Sequence, residues 1–347
     1  MIIFTLLWLA GMAVASPGPA DSGRARRQAD SSFIRSFYHQ MDVGLQFGSQ
    51  AMEYRTYYND SFFLAIRPND VYTVTPVFNY RWLSLSYAFT PGFFNLNNDD
   101  DLRGHTRFRR LSTSFTFNRW LAGAQWSNTR GFHVSNMQDV YPNWKPGEPY
   151  LQMPSLEVQR VQTHVLYKHN PNFSLKAIQG GEEQQLRSAW TWLPGINVSW
   201  FRFTTGDADT LPGNVTLTKN FDINLTLAAA GTWVLGKHFF LSGTAGPIVG
   251  VDFFNALAFD EEGQLRRASG TRFSRGAYLA VNLGYNHHKW YAGISSYSTS
   301  YRHSNASDQQ FEKLFTQFTL YAGLRLKPTK GIKRALDWVE NLLPILK

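Results

Sequence analysis

The sequence predicts an all-β chain: an antiparallel transmembrane β-barrel of the outer-membrane type, with about fourteen strands and a short C-terminal amphipathic helix. Twelve strands is the alternative count, reached if two short segments do not span. Three observations carry the prediction. Segment after segment alternates apolar and polar residues with period two. Short and long turn-rich connections follow one another in turn. The chain is rich in aromatics, yet no apolar run after the N-terminus reaches the ~18 residues a spanning helix needs.

Taken in order, "IIFTLLWLAGMAVA" has the length of an export-signal core, and Ala13-Val14-Ala15 is a small-x-small cleavage site. Residues 1–15 are therefore expected to be a signal peptide cut before Ser16, although no Lys or Arg precedes the apolar run. Residues 16–40, opening "SPGPADSGRARRQADSS", read as a flexible segment. The barrel is expected over 41–327 and the helix over 328–347.

Within the barrel, "RWLSLSYAF" sets Leu83, Leu85, Tyr87 and Phe89 against Ser84, Ser86 and Ala88. "LSTSFTFN" (111–118), "INLTLAAAGTWVL" (223–235) and "AYLAVNLGY" (277–285) alternate likewise. In "FTQFTLYAGLRL" (315–326), Phe318, Leu320, Ala322, Leu324 and Leu326 form one face. Gln317, Thr319, Tyr321, Gly323 and Arg325 form the other. A soluble sandwich would bury the leucines, whereas a membrane barrel would turn them to lipid and leave Arg325 in a wet interior.

Turn spacing decides between the two. Short connections are expected near 79–82, 118–121, 170–173, 193–196, 235–238 and 286–289. Long ones are expected near 91–105, 131–155, 205–218, 253–271 and 303–311, with a shorter one near 181–187. Barrels alternate in this way, with tight turns on one rim and long loops on the other. Thirteen strands then fit between 71 and 326, and the even count of a bacterial barrel requires one more from 43–66, within "MEYRTYYNDSFFLAI". Beyond Lys327, Ile332, Ala335, Leu336, Val339, Leu342 and Leu343 recur at helical spacing. Such a helix could lie at the membrane interface, plug the mouth or pack on the rim.

Composition narrows the function. Aromatics make up 16% of the 347 residues while mean hydropathy is −0.30. Lys and Arg number 34 against 25 Asp and Glu, a net +9, but the excess is scattered. It builds no nucleic-acid groove and suits anionic headgroups, so lipids and lipopolysaccharide are the expected partners. The absence of cysteine excludes a lipoprotein anchor, disulfides and thiolate chemistry.

No nucleotide loop, zinc-protease helix or nucleophile elbow occurs, so no catalytic, cofactor or metal residue is predicted and no cofactor is expected. His287-His288 could bind a metal, but adjacent strand residues point to opposite faces, and the pair is read as a polar turn. "NNDDDLRG" (97–104) is read as a solvated loop without calcium-loop spacing. Ser188 with Glu182 or Glu183 and His169 is the one grouping an enzyme could use, and it is spread over different turns. Asn-x-Ser/Thr sequences occur along the chain, among them those beginning at Asn59, Asn197, Asn214, Asn224 and Asn305. Two of them fall inside strands, so they are read as barrel composition rather than glycosylation sites.

The ordered set "IRPND" (66–70), "NYRWLSLSYAF" (79–89), "GFHV" (131–134), "PSLEV" (154–158), "NFSLKA" (172–177), "EEQQLRSAW" (182–190) and "KHFFLSGTAG" (237–246) resembles domain of unknown function 4421. That family comprises outer-membrane barrels of Gram-negative bacteria. The resemblance spans about 41–326 and implies fold and location but no activity. Ile66 and Trp190 depart from its pattern. The expected function is a non-enzymatic barrel serving as a narrow channel, a scaffold or a surface-binding protein. An outer-membrane enzyme acting on lipid or lipopolysaccharide, and a soluble exported sandwich, are the alternatives.

Overall fold

A computed structural model describes residues 30–57, 62–92, 97, 99–205, 215–259, 265–304 and 310–342. The export signal expected at 1–15 lies outside these residues, as do Asn59, Asn214 and Asn305. The first strands are β1 (Ile34–Ser36), β2 (Met41–Tyr57), β3 (Phe63–Arg67), β4 (Val71–Tyr80) and β5 (Leu83–Phe89). A one-turn helix α1 (Asp100–Arg103) precedes β6 (Arg107–Phe117) and β7 (Trp120–Val134). Another, α2 (Met137–Val140), precedes β8 (Gln152–Tyr167), β9 (Glu183–Gln185) and β10 (Ala189–Thr204). The long strands β11 (Val215–Leu235), β12 (Phe239–Phe259) and β13 (Leu265–Asn286) follow. The order then closes with β14 (Trp290–Ser304), β15 (Gln310–Leu326) and α3 (Lys330–Leu342).

Antiparallel pairing runs β2-β4-β5-β6-β7-β8-β10-β11-β12-β13-β14-β15 and returns to β2, where all 17 residues of β15 find partners. The sheet is thus a closed barrel of twelve strands, and the sandwich alternative falls away. The higher count of about fourteen is corrected to twelve, for two local reasons. "LPGI" (193–196) is not a turn but part of β10. Pro194 is tolerated because β10 has run past the end of β8, whose pairing begins only at Gly195 opposite Leu166. The stretch between the connections expected at 170–173 and 181–187 is not a spanning strand either. The missing strand from 43–66 is β2 itself. β3 is an extra strand that joins the upper ends of β2 and β7 above the shorter β4, β5 and β6.

Tight turns at 81–82, 118–119, 236–238 and 287–289 share one rim with both ends of the barrel. Arg81 and Asn118 take the left-handed conformation that such two-residue hairpins demand (φ 59° and 52°). The long loop expected at 253–271 is largely strand, since β12 runs to Phe259 and β13 starts at Leu265. Beyond the membrane both faces of a strand meet water. The apolar half of the alternation then fades, and "RRASGTRFSRG" (266–276) reads as a loop.

The outer face is apolar. Leu320 and Leu324 are 46% and 56% exposed, while their neighbours Thr319 and Arg325 are 5% and 7% exposed. Exposed Trp120, Trp190, Trp192, Trp233 and Trp290 ring the turn-side rim, as an interfacial girdle does. Twelve residues up β11 from Trp233, exposed Phe221 sits opposite Phe253. At ~3.3 Å per residue and a tilt of ~40°, the two levels are ~30 Å apart, close to the ~25 Å apolar band of such barrels.

The C-terminal helix packs on the outer wall rather than entering the mouth. Leu336, with Ile332 and Val339, covers Tyr80, Trp82, Met41, Leu83 and Phe115. Buried Glu340 accepts hydrogen bonds from Tyr38 Oη (2.9 Å) and Trp82 Nε1 (3.0 Å), and pairs with Arg81 (3.0 Å). Asp337 holds the same guanidinium at 2.7 Å. Trp338 and Leu342 stay exposed beside this packed stripe. The stretch expected to be flexible is docked where it is described: β1 pairs with β9, and Phe37 is buried.

Leu320 lies six residues from the end of β15, near mid-bilayer, where an arginine costs ~2–4 kcal/mol. Leu320→Arg should sharply lower refolding into vesicles, read as loss of the faster-running unboiled band. Thr319→Arg should be tolerated, because that position borders an interior cavity. Equal damage from the two substitutions would contradict the assigned faces.

Candidate functional site

A barrel of twelve strands encloses more space than its own side chains fill. Residues 168–188, between β8 and β10, fold back inside it at the turn-side rim. Phe173, fully buried, packs on Leu193, Ala228 and Ala230, and the small alanines of the wall leave it room. Lys168 Nζ donates to the Phe173 carbonyl (2.6 Å), and burial pulls its pKa down. Gln185 accepts from Ser174 N (2.8 Å) and donates to the Asn172 and Arg187 carbonyls (2.8 and 3.0 Å). Gln184 donates to the Asn286 carbonyl (2.8 Å). The segment is a plug pinned by amides, and the turn expected at 170–173 and the loop expected at 181–187 are parts of it.

Arg325 locks the plug. Its Nη2 donates to the Gly180 carbonyl, to the Gly181 carbonyl (2.5 Å) and to Asn286 Oδ1 (2.7 Å), and its Nη1 donates to the His287 carbonyl. The guanidinium also lies over the Phe37 ring at 4.0 Å. The wet interior expected around Arg325 is therefore replaced by plug backbone. Gly180 is required there: its φ is +83°, and a Cβ would stand 2.7 Å from the Tyr291 ring. Asn282 Nδ2 donates to the Ile178 carbonyl, tying the plug to β13.

Above the plug lies a cavity of about 480 Å³. Its walls carry Gln46, Thr75, Ser112, Gln125, Tyr297 and Gln317, and Ile178 and Gln179 of the plug border it from below. Arg110 reaches from β6 to Gln317 Oε1 on β15 (3.1 Å). Toward the loop-side rim an apolar layer of Leu64, Phe132, Met153, Leu156 and Val158 crosses the interior, with Tyr54 and Phe203 packed against it.

Between strands β11 and β15 runs a buried charged cluster. Asp222 and Asp252 are cross-strand partners, with Ser199 and Arg272 beside them in register. Lys313 Nζ reaches Asp222 Oδ2 at 2.8 Å and lies over the Phe201 ring at 3.7 Å. Ser199 Oγ donates to Asp222 (2.9 Å), Asn220 Nδ2 donates to both oxygens of Asp252 (2.9 Å), and Arg272 Nε lies 3.5 Å from Asp252. Fully buried His303 stands 3.7 Å from Asp252. Asp222, Asp252 and His303 have ligand atoms within 4.8 Å of one another, a spacing that could hold a metal ion. Lys313 and Arg272 already balance the two carboxylates, so a divalent cation would have to displace the ammonium. The arrangement is a strut across the lumen.

The residues weighed in the sequence do not converge. Ser188 Oγ accepts from Val234 N, Glu183 accepts from Ser174 Oγ, and Glu182 pairs with Lys176 at 2.5 Å. His169 is exposed at the rim, and its backbone N–H donates to the Trp192 carbonyl. His287 and His288 sit in the turn expected there, between β13 and β14, with their rings 3.9 Å apart. Asn197 and Asn224 face each other across β10 and β11. Asp222, Asp252, His303 and Lys313 were missed in the sequence. The available signal was a charge at inward positions of alternating strands, which means little until the register is known.

The profile of the family described as Domain of unknown function (DUF4421) matches residues 28–326, and the chain belongs to that family. No curated protein matches the chain. Among solved structures, the outer membrane protease OmpT from Escherichia coli is similar at 10% identity, with a TM-score of 0.40 over 84% of this chain and 98% of that one. A Pseudomonas aeruginosa FadL homologue is similar at 9% identity (TM-score 0.28; 87% and 95% covered). The Pseudomonas putida toluene transporter TodX is similar at 7% identity (TM-score 0.29; 83% and 90% covered).

Burial pushes the Glu182 carboxyl in the plug up to about 7, against the opposing pull of Lys176. A carboxyl with a higher value docked than released binds more proton when docked. Docking should therefore be strongest below the usual carboxylate range, near pH 4.5, and weaken as pH rises through about 7. Hydrogen exchange of residues 172–182 should speed up across that window beyond its intrinsic pH dependence. Glu182→Gln should remove the excess. An unchanged excess in the variant would contradict the assignment.

Proposed function

We propose that the protein is a non-enzymatic, narrow channel of the outer membrane of a Gram-negative bacterium, held closed at rest and exported by a cleaved signal at 1–15. The observation that carries this reading is the plug. Residues 168–188 fill the turn-side end of a polar lumen, and one buried arginine, Arg325, holds them by backbone carbonyls. A permanent filling would be better served by an apolar core, since buried polar networks are costly unless every member is satisfied. Polar walls around a cavity, closed by a segment fixed through hydrogen bonds, suit a passage for small polar solutes. Both ends of the barrel, at Met41 and Leu326, share the rim of tight turns, which in outer-membrane barrels faces the periplasm.

In planar bilayers the intact chain should show low, rare conductance. Arg325→Ala, or replacement of residues 171–182 by a short Gly-Ser linker, should raise the open fraction about tenfold or more, since removing a buried charged hydrogen-bonding group costs several kcal/mol. Variants that fold yet conduct no more than wild type would contradict the channel reading. So would a wild type that is constantly open.

A further inference from the structure

Arg107 and Arg109 are exposed on the outer face of β6, and exposed Arg130 sits directly opposite Arg107 on β7. Like charges facing each other across a ladder destabilise it. Among the described residues none of the three forms an ion pair. Glu157, opposite Arg130 on β8, instead accepts from Asn128 Nδ2 (2.8 Å) and Gln159 Nε2 (2.7 Å). Arg130 Nε has only a long contact to the Pro154 carbonyl (3.4 Å). Three guanidinium groups are thus gathered on one wall without their counter-anions.

Their height is informative. Arg130 stands ten residues above Trp120 of the turn-side girdle on the same strand. At ~3.3 Å per residue and ~40° of tilt that is ~25 Å, the height of the apolar band. Immediately below the arginines, exposed Leu111 lies between Tyr87 and Trp126 in register. The cluster therefore begins where lipid tails end and external headgroups start. A cleft of about 520 Å³ opens beside it, lined by Tyr87, Phe89, His105, Arg107 and Arg109. The Tyr87 and Phe89 rings stack at 5.9 Å, offering an apolar wall next to the charges.

We propose that Arg107, Arg109 and Arg130 form a binding site for the phosphorylated sugar headgroup of an external-leaflet glycolipid, as lipopolysaccharide presents it. The inference rests on the membrane reading above. Guanidinium groups bind phosphate oxygens bidentately, and the adjacent aromatic wall takes the sugar and the first acyl carbons. The phosphate supplies the charge that the protein does not.

The test uses the full chain folded in detergent, titrated with diphosphorylated lipid A, with the same lipid A dephosphorylated, and with inorganic phosphate. Wild type should bind the phosphorylated lipid, bind the dephosphorylated one at least about tenfold more weakly, and release neither to millimolar phosphate. The triple variant R107Q/R109Q/R130Q should lose about tenfold or more for the phosphorylated lipid only, and the triple lysine variant should keep most of the affinity. Should the glutamine triple lack the faster unboiled band, Arg109→Gln alone carries the test, with a smaller loss of the same selectivity. Equal binding of the two lipids, equal binding by the glutamine variants, or displacement by inorganic phosphate would overturn the site. A wild-type chain that neither shows the band shift nor enters vesicles would overturn the membrane reading, and the site with it.

Discussion

Lipid offers no hydrogen-bond partner to a backbone amide or carbonyl, so a sheet that enters it must leave no edge. The pairing of β15 with β2 meets that demand, joining the last strand to the first along the whole length of β15. Once the sheet is closed, the alternation has one consistent placement: leucines and aromatics outward, hydroxyls, amides and charges inward. The places where pairing lapses are those the closed sheet can spare. Pro76 interrupts the ladder toward β5, and Pro247 interrupts that toward β11, each while pairing on its other side continues. Strands of 21 and 22 residues exceed the ~9–11 needed to cross, and their upper ends stand clear of the apolar band.

Closure creates the second problem, an interior too wide for twelve strands' side chains to fill. Three fillings share it. Near the loop-side rim Phe132, Met153 and Leu156 build an apolar layer; below it Asp222, Asp252, Arg272 and Lys313 form a charge-balanced strut; at the turn-side rim the plug is held by Arg325. Each is self-consistent. The apolar layer needs no partners, the strut pairs its charges, and Arg325 places its donors on carbonyls that the plug presents at Gly180 and Gly181. The polar cavity lies between the plug and the upper fillings.

Much of the wall was legible in the sequence. In 315–326 the alternation, with Arg325 on the same face as Thr319, identified the lumen side correctly, and the tight turns at 79–82, 118–121, 235–238 and 286–289 stand where expected. The interior was not legible, for physical reasons. "NPNF" and "EEQQLRS" carry the polar, turn-forming residues of a surface loop, because a plug made of backbone hydrogen bonds needs the same residue types. Pro194 and Gly195 imitate a turn, and only the overhang of β10 past β8 shows why a proline can sit there. Asp222 and Asp252 lie thirty residues apart, and nothing short of their register reveals that they face each other. The arginines of the outer wall looked like scattered charge because Arg107 and Arg130 are joined by a hairpin rather than by sequence.

The chain has no cysteine, so a single one can be introduced anywhere without background. The most direct test of the account is a spin-label scan of residues 317–326 in vesicles, comparing collision with oxygen, which partitions into lipid, against collision with a water-soluble nickel chelate. Oxygen accessibility should be high at 318, 320, 324 and 326, and accessibility to both reagents should be low at 319, 321 and 325, the last most protected by the plug. Loss of the period of two, or strong collision with the nickel chelate at 325, would contradict it.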